Sequence, residues 1–120
     1  MAKKVLIVDD EPELLNLMKY TLEGGGYEIS TCDTGRQVLA ALQKNKPDMI
    51  VMDVMLPGID GHSLVNKISQ DENLRNIPII VLSALEATKA LFQKFQQVVA
   101  FMPKPFKSEE FLNTVKSVLK

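Results

Sequence analysis

One cysteine, no apolar run long enough to cross a membrane and no excess of basic charge are the first things this sequence excludes with. Cys32 is the single cysteine and cannot close an internal disulfide, which suits a reducing compartment and points to a cytoplasmic protein. It lies in an apolar-alternating stretch and reads as a packed thiol; no basic or histidine partner that would activate it can be identified. After Lys3 and Lys4 the run Val5–Val8 ends at Asp9-Asp10, far short of a signal-peptide core. Nothing approaches the roughly 18 apolar residues of a membrane span, so no membrane contact is expected. Fourteen basic against fifteen acidic side chains leave a net charge of −1. Without a basic field to hold a phosphate backbone, no nucleic acid is expected to bind this segment itself.

What is there is an ordinary globular composition, 46% hydrophobic and 24% charged, in a chain of 120 residues. That length suits one domain, taken as 1–120. Apolar runs and helical periods alternate along it. Lys4 to Asp9 reads as a strand, an unbroken aliphatic run too short for a helix. Pro12 opens a helix with Leu14, Leu15, Met18 and Leu22 on one face, and Gly24-Gly25-Gly26 stops it. Those glycines are no phosphate loop, because a strand (Tyr27 to Cys32) follows and no Gly-Lys-Ser/Thr is present. Val38, Leu39 and Leu42 mark a second helix, ended before Lys46-Pro47. Met49 to Asp53 is a third strand, and Leu56 to Gly61 a loop before a helix carrying Leu64, Val65 and Ile68.

Ile77 to Leu82 reads as a fourth strand, Ala84 to Gln96 as a helix and Val98 to Met102 as a fifth strand. Ser108 is placed to cap the last helix, with Glu109 and Glu110 at its positive end. Five such β-α repeats imply an α/β three-layer sandwich: a parallel sheet covered on both faces, with right-handed crossovers.

In an open parallel sheet, ligands bind beyond the carboxyl ends of the strands. The first strand ends in Asp9-Asp10, the third in Asp53 and the fourth in Ser83, and the fifth runs into Lys104-Pro105. Taken singly, each has a plain structural reading: Asp9-Asp10 or Ser83 as helix caps, Asp53 as a turn residue, Lys104 as a surface lysine. Together they offer another. Three carboxylates at one rim repel one another, and a hard divalent cation such as Mg²⁺ relieves that repulsion. A carboxylate beside Mg²⁺ can attack phosphorus to give an acyl phosphate, while a lysine and a hydroxyl hold the other phosphoryl oxygens.

Four ordered stretches carry a family likeness: Val5-Leu6-Ile7-Val8-Asp9-Asp10-Glu11, Asp53 to Gly61, Val81-Leu82-Ser83-Ala84 and Lys104-Pro105-Phe106. The chain resembles, over essentially its whole length, the receiver domains of response regulators in two-component signalling. The resemblance implies a flavodoxin-like fold with five helices and strand order 2-1-3-4-5. It makes Asp53 the phosphoacceptor, and Asp9, Asp10, Asp53 and the backbone carbonyl of Met55 the Mg²⁺ ligands. Ser83 and Lys104 become the phosphoryl-binding groups, Phe101 the aromatic switch and Lys104-Pro105 a cis bond.

By the same resemblance the donor is a sensor histidine kinase or phosphotransfer protein, and the listener a downstream output domain or target protein. Signalling would run through the face of the fourth helix, fifth strand and fifth helix, which also serves homodimers. The chain would catalyse only its own phosphorylation and dephosphorylation, and so is not expected to be an enzyme in the ordinary sense.

Two stretches depart from the family pattern. Gln96 to Ala100 stands where a Gly-Ala turn is usual, so a shorter or displaced fourth helix is expected. That helix is also unusually apolar: Ala84, Thr88, Leu91, Phe95 and Val98 share a stripe, with Leu85 and Phe92 to its side either widening the core or forming a docking patch. Bulky Met55 and Leu85 beside the phosphoryl site predict a persistent acyl phosphate. His62, the lone histidine, reads as a solvated residue. The competing classes are a Mg²⁺-dependent phosphohydrolase, which usually carries its nucleophile on the first strand, and an interaction module that has lost phosphorylation.

Overall fold

A computed structural model describes residues 2–54, 61–85 and 88–119. Five parallel strands, β1 (Lys4–Val8), β2 (Glu28–Cys32), β3 (Met49–Asp53), β4 (Ile79–Ser83) and β5 (Val98–Pro103), lie in the order β2-β1-β3-β4-β5. Between and after them run α1 (Pro12–Gly24), α2 (Val38–Lys44, entered by a 3₁₀ turn over Gly35–Gln37), α3 (Gly61–Gln70), α4 (Lys89–Phe92) and α5 (Ser108–Val118). The expected architecture and strand order are both present.

Central strands β3 and β4 are buried at every position, as aliphatic runs must be when helices cover both sides of a sheet. Alternate residues therefore feed two cores. Leu6, Val8, Ile50, Met52, Ile79 and Val81 face one way, where Leu64, Val65 and Ile68 of α3 and Phe92 of α4 meet them. Val5, Ile7, Met49, Val51, Ile80 and Leu82 face the other, against Met18 and Leu22 of α1 and Phe111 and Val115 of α5.

Pro12 occupies the first turn of α1, where a missing N–H is harmless. The exit of that helix uses Gly26 at φ 93°, a left-handed conformation that a side chain disfavours. Gly61 has a different reason: a Cβ there would lie 2.6 Å from the Val54 Cα, so the start of α3 can sit against the end of β3 only if residue 61 has none.

The fourth helix departs from its periodicity but follows its missing glycine. The apolar pattern marks a helix over Ala84–Gln96, and the lack of a Gly-Ala turn at Gln96 to Ala100 a shorter or displaced one; α4 spans only Lys89–Phe92. Phe92 and Phe95 enter the core while Leu91 stays exposed, so the apolar stripe expected through Leu91 is rotated. Phe92 widens the core, and Leu85 is exposed. The chain leaves through turns in which the Phe95 N–H donates to the Phe92 carbonyl and the Val98 N–H to the Phe95 carbonyl.

No glycine ends this segment; Gln97 does the work with its side chain. Its Nε2 donates to the carbonyl of Leu74 (3.2 Å), which also accepts the Ile77 N–H, and to that of Ile77 (2.9 Å). One residue later β5 slips: Ile79 pairs with Val98 but Ile80 pairs with Ala100. Val99 is the extra residue of a bulge, and its apolar side chain points to solvent.

Three smaller differences follow from local geometry. Strand β4 starts at Ile79, after Pro78, and runs through Ser83. Lys107, not Ser108, occupies the position before α5, and no side chain caps that end. His62 is half-buried, its ring 5.7 Å from Phe92 and 5.4 Å from Phe95.

Candidate phosphoryl and metal site

The carboxyl ends of β1, β3 and β4, and the segment leaving β5, converge on one rim. Asp9 follows β1 directly and is buried (0% exposed); Asp53 closes β3 (3%) and Ser83 closes β4 (0%). Two ionisable side chains at the top of a hydrophobic sheet would be costly without a partner. Lys104, one residue past β5, supplies it. Its Nζ lies 2.7 Å from Asp53 Oδ2 and 3.0 Å from Asp9 Oδ2. A third carboxylate, Glu11, reaches the same ammonium at 3.3 Å from the exposed side. The backbone presents Lys104 for this role: its N–H donates to the Ser83 carbonyl, and the Lys104–Pro105 peptide bond is cis.

The electrostatics follow from burial and neighbours. Burial pulls the Lys104 amine toward the neutral form, but the hydrogen bonds and charges of Asp53 and Asp9 outweigh it and hold the lysine protonated well above its ordinary value of 10.5. For Asp9 burial wins. Its carboxyl is raised above the usual 3.8 by desolvation, with the Asp53 charge adding to the rise, although the Glu11 N–H (2.9 Å) and Lys104 pull it back. One cation thus shares two buried carboxylates, and the rim keeps an excess of negative charge.

That excess is the observation bearing on a metal. Asp9, Asp10, Glu11 and Asp53 each offer a carboxylate oxygen, all within 4.8 Å of one another. Oxygen-only, acid-rich ligand sets suit Mg²⁺, which takes a few carboxylates and completes its shell with water and phosphate. The donor set therefore fits the ion.

The other sequence-predicted residues fall as follows. Asp10 is exposed at the rim, beside buried Asp9. Met55 lies outside the described residues, so its carbonyl has no placement. Leu85 is exposed two residues beyond Ser83. Phe101, on β5, is half-buried and packs against the α3–α4 core. Pro105 is exposed. Ser83 is gathered to the rim by its strand, yet its Oγ is engaged locally: the Leu85 N–H donates to it at 3.0 Å, and the Thr88 hydroxyl lies 3.1 Å away.

Two residues were given no role by sequence reading. Glu11 carried a signal, being a third consecutive acid, but its reach to Lys104 is a contact across 93 residues of chain. Thr88 carried none beyond its place in an apolar stripe.

Comparison with known proteins gives the family and the fold. The family model described as the response regulator receiver domain matches residues 5–116. The alkaline phosphatase synthesis transcriptional regulatory protein PhoP of Bacillus subtilis is 35% identical over 127 residues, covering 100% of this chain and 50% of its own length. The polar-differentiation response regulator DivK of Brucella ovis is 33% identical, covering 99% of this chain and 98% of its own. The chain thus spans about half the length of some relatives and nearly all of others.

Among solved structures, the chemotaxis response regulator CheY4 of Vibrio cholerae superposes with a TM-score of 0.91 at 29% identity, covering 98% of this chain and 99% of that one. The receiver domain of the sensor histidine kinase PA1611 from Pseudomonas aeruginosa gives 0.86 at 28% identity, covering 98% and 97%, and holds a magnesium ion in its active-site cleft.

Proposed function

This chain belongs to the response regulator receiver domain family of two-component signalling, and we propose that it is a Mg²⁺-dependent phosphorylation switch whose acceptor is Asp53. The observation that carries the proposal is the Lys104 ammonium held between buried Asp53 and Asp9 inside a cluster of acids at the end of the sheet.

Asp9, Asp10 and Asp53 would hold the ion, with the Met55 carbonyl as the family's remaining ligand. Bound there, Mg²⁺ would stabilise charge on the transferring phosphoryl oxygens. Asp53 is the nucleophile: an Oδ lone pair forms the new P–O bond as the P–N bond to the donor histidine breaks, and the departing imidazole keeps that electron pair and takes a proton. Lys104 follows a phosphoryl oxygen as a point charge, leaving its carboxylates part-way. Ser83 donates to another oxygen once it turns from the loop, and Phe101 turns inward behind it. Water later attacks phosphorus and returns Asp53. This is chemistry on the protein itself and not turnover of a metabolite, so the chain is read as a switch rather than an enzyme.

The donor on this reading is a sensor histidine kinase or a phosphotransfer protein, and the recipient of the signal an output domain or separate target. The face of α4, β5 and α5 would carry that signal and any homodimer contact. It already exposes Leu91, and exposes Val99 at a cleft of about 300 Å³ lined also by Phe92, Val98 and Phe101. Work in the cytoplasm accords with a lone, buried thiol.

Phosphoramidate, whose P–N bond resembles that of phosphohistidine, tests the reaction class beside p-nitrophenyl phosphate. Stoichiometric uptake of one phosphoryl group from the first, with no release of p-nitrophenol from the second, is expected. Sustained turnover of the ester would favour the phosphohydrolase.

A further inference from the structure

One ammonium at the rim faces more carboxylates than it can neutralise. Lys104 has three N–H donors, and each has an acceptor: Asp53 at 2.7 Å, Asp9 at 3.0 Å and Glu11 at 3.3 Å. Glu11 differs from the other two. Its side chain is 62% exposed while theirs are buried, so no desolvation obliges it to sit beside a cation. Its backbone N–H is held on Asp9 Oδ1 at 2.9 Å, which keeps the residue at the mouth of the site. With Asp10, four carboxylates share this one ammonium.

We propose that Glu11 strengthens divalent-cation binding at this rim through its charge, without being one of the ligands. The inference rests on the reading of Asp9, Asp10 and Asp53 as the side chains that hold Mg²⁺.

Distance decides whether an exposed charge can do this. A Glu11 oxygen lies within 4.8 Å of an oxygen of each of Asp9, Asp10 and Asp53. An ion bonded at about 2.1 Å to any of those three oxygens is therefore within roughly 7 Å of the Glu11 oxygen. That is shorter than the Debye length of about 8 Å at physiological salt. Even with the dielectric constant of water, a unit charge at that range changes the affinity of a divalent ion by about 3- to 10-fold at low salt. Lys104 does not cancel the effect, because two buried acids share the ammonium and hold it more closely. A ligand role suits Glu11 less well. Mg²⁺ takes few carboxylates and keeps several waters, three other acids are at hand, and the Glu11 carboxylate is already engaged by Lys104.

Backbone ¹H–¹⁵N NMR of the 120-residue chain, titrated with MgCl₂ at low ionic strength, reads the affinity. Glu11→Gln keeps the size of the side chain and an oxygen for Lys104, and should bind Mg²⁺ about 3- to 10-fold more weakly than the parent. The gap should shrink in about 0.5 M KCl, where screening is stronger. Glu11→Asp keeps the charge on a shorter arm and should stay within about 2-fold of the parent. Glu13→Gln removes a nearby exposed acid that lies outside the cluster and should matter by less than about 2-fold. Parent-like affinity of Glu11→Gln, a gap that salt does not narrow, or an equal loss in Glu13→Gln overturns the inference. An equal loss in Glu11→Asp overturns it as well, by making Glu11 a ligand. All of these outcomes leave the Mg²⁺ site standing. A parent whose spectrum ignores Mg²⁺, or whose affinity is unchanged in Asp10→Asn, overturns the reading of the site itself.

Discussion

Where β1 and β3 end, the polar side chains are tied to one another across the sheet; where β4 ends, they are tied only to the loop that follows. Lys104 meets Asp9 across 95 residues of chain and Asp53 across 51, so these groups are placed by the whole fold. Ser83 meets Leu85 and Thr88 within five residues, in a segment whose helix is one turn long. On the proposed function, a nucleophile and its cation gain from being fixed, because charge stabilisation works best when preorganised. A signalling element needs two arrangements of similar free energy, and a few local hydrogen bonds supply that more readily than a buried ion cluster.

The sharpest way to break this contrast is Phe92→Ala. If α4 is held by its one deeply buried aromatic side chain, the variant should lose about 4 kcal/mol of stability in urea unfolding. A negligible loss would mean the segment is not anchored there at all.

Next is the fixed half. Lys104→Met removes the cation from between Asp53 and Asp9 and should cost about 3 kcal/mol at neutral pH without Mg²⁺, because two buried carboxylates lose their partner. The sign of its pH dependence is set by what remains. Protonating the carboxyls removes the unpaired charge, so the deficit should shrink as the solution is acidified; a deficit that grew would contradict the assignment.

In the parent chain the raised pKa values of Asp9 and Lys104 act at opposite ends of the scale. Folded Asp9 binds its proton more tightly than the unfolded chain does. Its ionisation therefore disfavours the fold above the raised value, and that penalty is absent below the ordinary 3.8. The stabilisation from Lys104 is complete below 10.5 and is lost only as pH climbs through its raised value. A plateau of stability through neutral pH is the expected titration, with an alkaline loss that is smaller in Lys104→Met, where only the burial-raised Cys32 thiol still contributes.

Gln97→Leu sharpens the contrast in the other direction. It removes the side-chain donor to the Ile77 carbonyl and one of the two donors to that of Leu74, which keeps the Ile77 N–H, and should cost about 1 kcal/mol, yet leave the rate of phosphorylation by a small donor unchanged, since the side chain is remote from the acids. The smallest effect belongs to Leu91→Ser. Leu91 is exposed, so stability should move by less than about 0.5 kcal/mol; weaker binding of an output partner or second copy, measured by sedimentation, would assign it to the signalling face.

The same division decides what the sequence disclosed. Strands read easily, because a doubly covered sheet demands unbroken aliphatic runs such as Met49 to Met52. Asp9, Asp53, Ser83 and Lys104 were legible because parallel topology brings strand ends together. The α4 segment was legible in part: the missing glycine at Gln96 to Ala100 announced a shorter or displaced helix, but Ala84 to Gln96 contains no breaker to fix its ends. Tertiary facts set them: Phe92 and Phe95 both seek the core, and Gln97 closes the exit. The Val99 bulge and the packing of His62 on two phenylalanines leave no mark in local periodicity. Glu11 and Thr88 act through partners that only the folded chain supplies.

Incubation with acetyl phosphate and Mg²⁺, read by intact-mass spectrometry beside Asp53→Asn, tests the central claim most directly. The account predicts one hydroxylamine-labile phosphoryl group per chain that requires Mg²⁺ and is absent from the variant. An unmodified parent, or an adduct that persists in Asp53→Asn, would contradict it.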